Sequence, residues 1–144
     1  MIAAQQVLHS QSPIKRSTVL IVDDSEDIRF IYAVAINKLG FIAASAVNGQ
    51  EALDLLRKGL RPDLIILDLM MPVLDGWQTD AVLSEDAELS KIPTVVLSAF
   101  SERASELTRK LEVIRKPLSL DLLQKIISKH CSKISEPTLV SHRG

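Results

Sequence analysis

Short apolar runs punctuate the chain, and most of them stop abruptly on a polar side chain. Thr18-Val19-Leu20-Ile21-Val22 ends at Asp23-Asp24, and Asp63 to Leu67 ends at Asp68. Thr94-Val95-Val96-Leu97 ends at Ser98, and the brief Glu112-Val113-Ile114 ends at Arg115-Lys116-Pro117. Together with a more mixed stretch from Phe41 to Val47, these runs predict five strands; an unbroken run such as Leu64 to Leu67 reads as a strand buried on both faces, as in a parallel sheet. Between them the apolar spacing lengthens to that of helices. Ser25 is a good N-cap before acidic Glu26 and Asp27; Ile28, Ile31, Ala35 and Leu39 follow at helical intervals, and Gly40 stops the helix. Ala52, Leu53 and Leu56 mark a second helix between Asn48-Gly49 and Gly59. Asp75-Gly76 reads as a turn, with a third helix from Trp77 to about Asp86. A short polar helix is expected from about Ser101 to Lys110. Ser119 caps a last one carrying Leu120, Leu123, Ile126, Ile127 and His130.

Strands alternating with helices imply α/β architecture: a doubly wound (βα)5 fold, with a five-stranded parallel sheet, helices on both faces and right-handed crossovers. The folded unit is expected over residues 18–131. A flexible arm precedes it at 1–17, and a polar tail follows at 132–144.

That topology gathers the polar strand ends. In open α/β sheets ligands sit beyond the carboxyl ends of the strands, so Asp23, Asp24, Asp68, Ser98 and Lys116 should share one crevice. Taken singly, each has an ordinary explanation: a turn, a cap, a strand-end hydroxyl, a solvated lysine. Their convergence on one sheet edge is what points to chemistry. Leaving Asp68 at the end of a buried strand is costly unless something there uses it. Three carboxylates held together repel, and one would take up a proton unless a cation neutralises them. Hard divalent cations choose oxygen ligands, which suits Mg2+. A carboxylate can act as a nucleophile toward phosphorus. Phosphoryl transfer asks mainly for positioning and for charge stabilisation on the equatorial oxygens. A metal, the Lys116 ammonium and the Ser98 hydroxyl would each serve one of those oxygens.

Composition narrows the setting. The chain has 144 residues, 47% hydrophobic and 24% charged, enough to bury the core of one domain. A net charge of −1 gives no electrostatic reason to bind nucleic acid or membrane lipid. No apolar run approaches the roughly 20 residues of a membrane span, and the start lacks the pattern of a signal peptide. The single cysteine, Cys131, cannot form an internal disulfide and fits a reducing, cytoplasmic setting. It adjoins His130, but sequence neighbours on a helix do not face each other, so a partly buried inert thiol is expected.

Val22-Asp23-Asp24-Ser25, Leu67-Asp68-Leu69-Met70-Met71-Pro72 with Asp75-Gly76, Leu97-Ser98-Ala99 and Lys116-Pro117 resemble the receiver domain of bacterial two-component response regulators. The likeness spans residues 18 to about 130 and implies a flavodoxin- or CheY-like three-layer sandwich. It also implies that Asp68 is the phosphoacceptor, served by a histidine kinase or histidine phosphotransfer protein. Asp24 would bind Mg2+ directly, Asp23 largely through water, and the Met70 backbone carbonyl would add a ligand. Ser98 would swing toward the phosphoryl group and Lys116 would pair with it; the Lys116–Pro117 peptide is often cis in such domains. Two departures stand out. The usual aromatic residue shortly before the lysine is Val113 here, and the segment from Ser98 to Lys116 is several residues shorter than usual. Apolar Met70 and Phe100, two past the acceptor and two past the hydroxyl, are expected to shield the acyl phosphate from water.

The resulting expectation is a stand-alone receiver, not an enzyme in its own right, that relays phosphate or docks on a downstream protein as a monomer or weak homodimer. Two alternatives compete. A receiver-like docking module would keep the fold without being phosphorylated. An aspartyl-phosphate hydrolase would need an Asp-x-Asp motif after the first strand, and Asp23-Asp24-Ser25-Glu26 lacks that spacing.

Overall fold

The computed structural model describes residues 16–99 and 103–131. Most of the expected arm and the whole expected tail lie outside them, as do Phe100 and the first two residues of the expected fourth helix. The strands are β1 (Thr18–Val22), β2 (Ile42–Ala46), β3 (Leu64–Asp68), β4 (Thr94–Ser98) and β5 (Glu112–Arg115). The helices are α1 (Glu26–Lys38), α2 (Gly49–Arg57), α3 (Gly76–Ser84) and α4 (Leu120–His130). All strand pairs are parallel, in the order β2-β1-β3-β4-β5. Placing β1 between β2 and β3 reverses the winding direction there. That reversal opens the crevice beside Asp23 and Asp68.

Successive strand residues feed opposite sides of the sheet. Val19, Ile21, Leu64, Ile66, Val95 and Leu97 pack with Tyr32 and Ile36 of α1 and Leu123, Ile126 and Ile127 of α4. Leu20, Val22, Ile65, Leu67 and Val96 pack with Ala52, Leu53 and Leu56 of α2 and Leu83 of α3. Both sets are apolar, which is why β1, β3 and β4 read as unbroken hydrophobic runs. Burying one such side chain fully is worth roughly 1.5–3 kcal/mol.

Local chemistry sets the helix ends. The side chains of Ser25, Asn48, Asp75 and Ser119 accept from backbone N–H groups of the first turns of α1, α2, α3 and α4. Asp75 and Gln78 form a reciprocal capping box.

Two expectations need correction. The core face of α1 is turned by one position: Tyr32 and Ile36 are buried, whereas Ile31 is 47% exposed. The helix is apolar on several sides, so spacings of three and four residues fit more than one stripe, and packing against α4 selects among them. The α-helix expected between β4 and β5 is not found among the described residues. Residues 103–111 contain only a 3-10 turn at Ala104–Glu106. The segment has no stripe of apolar residues long enough to hold a helix on the sheet, and its backbone is engaged elsewhere. The Arg109 N–H donates to the Asp80 carboxylate on α3 at 3.0 Å. A smaller difference is at the last helix, where Leu120 is exposed and Leu123, Ile126 and Ile127 carry the burial.

Candidate functional site

Each strand end delivers its side chain as the topology requires. Asp68 closes β3 and is buried, as is Asp23, one residue past β1; Asp24 beside it is exposed. One carboxylate oxygen from each of Asp23, Asp24 and Asp68 lies within 4.8 Å of the others. Lys116, just past β5, places Nζ 2.8 Å from Asp68 Oδ1 and 3.9 Å from Asp23 Oδ2. Ser98 ends β4, buried, and its carbonyl accepts the Lys116 backbone N–H at 2.9 Å. Met70 lies two residues past Asp68 with an exposed side chain. The Lys116–Pro117 peptide is cis. Val113, at the position the resemblance gives to an aromatic ring, is half-buried and packs with Leu107 and Leu111 against the α2–α3 side of the core.

The carboxylates are held but not saturated. Asp23 Oδ1 accepts the Ser25 N–H at 2.9 Å, and the Asp23 carbonyl accepts from the Arg29 guanidinium at 2.8 Å. Asp23 Oδ2 and Asp68 Oδ2, both buried, have no hydrogen-bond partner among the described residues. Buried oxygens of this kind cost free energy unless a ligand completes them. An oxygen-lined pocket with two such atoms fits a hard divalent cation.

Protonation follows from the same geometry. Burial, ahead of every other cause, raises the Asp23 and Asp68 carboxyls above their ordinary value. For Asp68 the Lys116 hydrogen bond opposes this and the Asp23 charge reinforces it. Burial would lower Lys116, but its bond to Asp68 and the charges of Asp68, Asp23 and Asp24 raise it overall. A carboxyl whose folded pKa lies above its unfolded value binds its proton more tightly when folded. Its ionisation therefore costs stability at neutral pH, and the cost fades as pH falls toward the unfolded value of 3.8. Lys116 has the opposite sense: its contribution is complete through this range and is lost only as pH rises through its raised folded value. Without divalent metal, the thermal midpoint should rise as pH is lowered from 7 toward 5. Asp23→Asn should raise the midpoint at pH 7 and flatten that rise. Calorimetry across the range checks both; a steeper rise in the variant would contradict the assignment.

The loop from Asp68 to α3 has a feature the sequence did not signal. Val73 adopts φ 70°, and the Leu74 N–H donates to the Pro72 carbonyl at 2.8 Å, a γ-turn centred on a β-branched residue. Such a conformation is strained and persists only where its surroundings enforce it. The Gly49 N–H, donating to the Leu74 carbonyl at 3.0 Å, is one such restraint. Sequence reasoning also missed Arg29 and Tyr32, which reach the site from α1, and the Asp80–Arg109 pair. Cys131 is partly buried, and burial with the Asp63 charge pushes its thiol up to about 11, so it stays protonated and inert at neutral pH.

Residues 19–128 match the response regulator receiver domain family. The chain belongs to this family. A protein-glutamate methylesterase/protein-glutamine glutaminase of Methanosarcina mazei is 37% identical to this receiver over 125 residues, covering 80% of the chain and 33% of the relative. The receiver spans about a third to a half of the length of the curated relatives it matches. Among crystal structures it resembles the Vibrio cholerae chemotaxis protein CheY4, with 25% identity and a TM-score of 0.71, covering 81% of this chain and 99% of that one. It also resembles the Thermotoga maritima response regulator TrrA, crystallised in complex with Mg2+ and BeF (26% identity, TM-score 0.66, covering 78% and 97%). The receiver family is a regulatory one, tied to two-component signalling. No helix among its described residues is long and apolar enough to cross a membrane.

Proposed function

We propose that residues 18–131 form a phosphorylatable receiver in which Asp68 accepts a phosphoryl group from a histidine kinase or histidine phosphotransfer protein. One observation carries this reading: three carboxylates and one ammonium converge, with two buried carboxylate oxygens left unsatisfied. Asp23, Asp24, Asp68 and the Met70 carbonyl would hold Mg2+, which when bound neutralises the crowded carboxylates and the phosphoryl oxygens. Asp68 supplies the attacking oxygen. Its bond to phosphorus forms as the bond from phosphorus to the donor's leaving atom breaks, and the leaving group keeps that electron pair. Lys116, already on Asp68, follows the charge onto the phosphoryl group, and the Ser98 hydroxyl lies one strand away to donate to another oxygen.

The product adds about −1.5 to −2 charges and three acceptor oxygens at the sheet edge. That change biases the β4–β5 segment, and a cytoplasmic partner reads the result, or the phosphate passes along a relay. With Val113 in place of a ring, the reading assigns the switch to Ser98 and the chain that follows it.

Incubation with acetyl phosphate, followed by intact mass, tests the proposal. One phosphoryl addition that requires Mg2+ and disappears in Asp68→Asn is expected. Absence of any addition would overturn it in favour of a docking module; turnover of generic phosphate esters well beyond one equivalent would point to a hydrolase.

A further inference from the structure

Helix α1 touches both charged halves of the site. Arg29 donates to the Asp23 carbonyl, which fixes the end of β1. Three residues on, and so on the same side of the helix, the Tyr32 hydroxyl donates to the Leu118 carbonyl at 3.3 Å. Leu118 lies two residues past Lys116, in the loop that leads into α4.

Tyr32 is 4% exposed and sits in the apolar face shared by α1 and α4. Packing alone would be served as well by phenylalanine. Burying a hydroxyl is worthwhile only where it has a partner, and here that partner belongs to the lysine loop, 86 residues away. The phenol remains a donor: burial first, then the Asp23 charge, raises it above its ordinary value.

Lys116 needs such support. Its flexible four-carbon stem must hold one rotamer for Nζ to stay at 2.8 Å from Asp68, and freezing that freedom costs side-chain entropy. A backbone fixed on both sides of the residue removes part of the remaining play. On the amino side, the Lys116 N–H is bonded to the Ser98 carbonyl at 2.9 Å. On the carboxyl side the anchors are the buried Leu118 side chain and the bond from Tyr32 to the Leu118 carbonyl.

We propose that Tyr32 is a positioning residue whose bond to the Leu118 carbonyl holds the lysine loop so that Lys116 is presented to Asp68. The inference rests on the phosphoryl-acceptor reading above and deepens it: α1 sets the ammonium as well as the carboxylates. Nothing in the pattern of the chain signals this, because a tyrosine on a helix core face looks like packing.

The test compares the whole chain with Tyr32→Phe, Lys116→Ala and the double variant, following covalent phosphate from acetyl phosphate with Mg2+. Loss of one neutral hydrogen bond should slow Tyr32→Phe about three- to tenfold. The double variant should be no slower than Lys116→Ala alone, because Tyr32 acts through the lysine. A purely structural role would lower the urea midpoint and would slow both backgrounds alike. Tyr32→Phe at the wild-type rate, or an equal further loss on top of Lys116→Ala, overturns the proposal. If the wild-type chain takes up no phosphate, the acceptor reading fails, and Tyr32 is then judged by the Lys116 13Cε resonance. Movement toward the free-lysine position in Tyr32→Phe supports positioning, and an unmoved resonance overturns it.

Discussion

A loss of roughly 3–5 kcal/mol in unfolding free energy is the expected result of Arg109→Ala. Asp80 is fully buried on α3, and the Arg109 side chain is nearly so. The guanidinium pairs with Asp80 and also donates to the carbonyls of Ser90 and Ile92 and to the Thr94 hydroxyl. Removing it leaves a carboxylate in the interior that, among the described residues, accepts only from the Arg109 N–H. For a domain whose total stability is of order 5–15 kcal/mol, that is a large fraction. Asp80→Ala should behave similarly, stranding the cation instead. Replacing both, as Asp80→Leu with Arg109→Met, should recover most of the loss, since the penalty comes from an uncompensated charge and not from missing attraction. Urea unfolding at pH 7 measures all three. Single variants that lose less than about 1 kcal/mol would mean that water reaches the pair.

Gly76→Ala should lose about 1–3 kcal/mol, although helix propensity alone predicts a gain of ~1 kcal/mol for alanine at a helical position. The sign is set by contact. A Cβ on Gly76 would lie 2.7 Å from the Asp68 carbonyl oxygen and 2.7 Å from Leu69 Cα, both backbone atoms unable to swing aside. The Gly76 N–H also donates to the Leu69 carbonyl at 2.8 Å, so α3 and the end of β3 are drawn together at the point where the methyl group would intrude. Relief through the end of β3 would move Asp68. If Asp68 is the acceptor proposed above, the variant should therefore also take up phosphate from acetyl phosphate more slowly, besides losing denaturant resistance. Unchanged rates with lower stability would show that α3 yields and the acceptor strand does not.

Burial explains which of these features were legible in the sequence. The strands and the polar residues gathered at their ends were readable because a buried parallel strand must be apolar on both faces, so a lone Asp68 or Ser98 at its end is conspicuous. Helix caps were readable because Ser25 and Ser119 act within three residues of themselves. The α1 face was ambiguous because Ile28, Ile31, Tyr32, Ala35 and Ile36 offer overlapping stripes, and only contact with α4 chooses Tyr32. The Asp80–Arg109 pair joins residues 29 apart with no periodic mark. The same holds for Tyr32 and Leu118. The expected helix before β5 failed because polar residues such as Arg109 carried no hint that they were committed to α3. The γ-turn at Val73 was invisible because a β-branched residue at positive φ runs against local preference.

The one tryptophan of the chain has a consequence of its own. Trp77 opens α3, its indole N–H donates to the Arg103 carbonyl at 2.9 Å, and the Arg103 guanidinium stacks 4.0 Å from the ring centroid. Both contacts belong to the segment that stands where a helix was expected. Indole emission responds to a cation on the ring face and to the loss of its N–H partner. The protein thus carries a built-in optical gauge of the β4–β5 segment, with no second tryptophan to dilute the signal. Any change at Trp77 and Arg103 can be followed in the unlabelled molecule, separately from covalent phosphate at the proposed acceptor, Asp68.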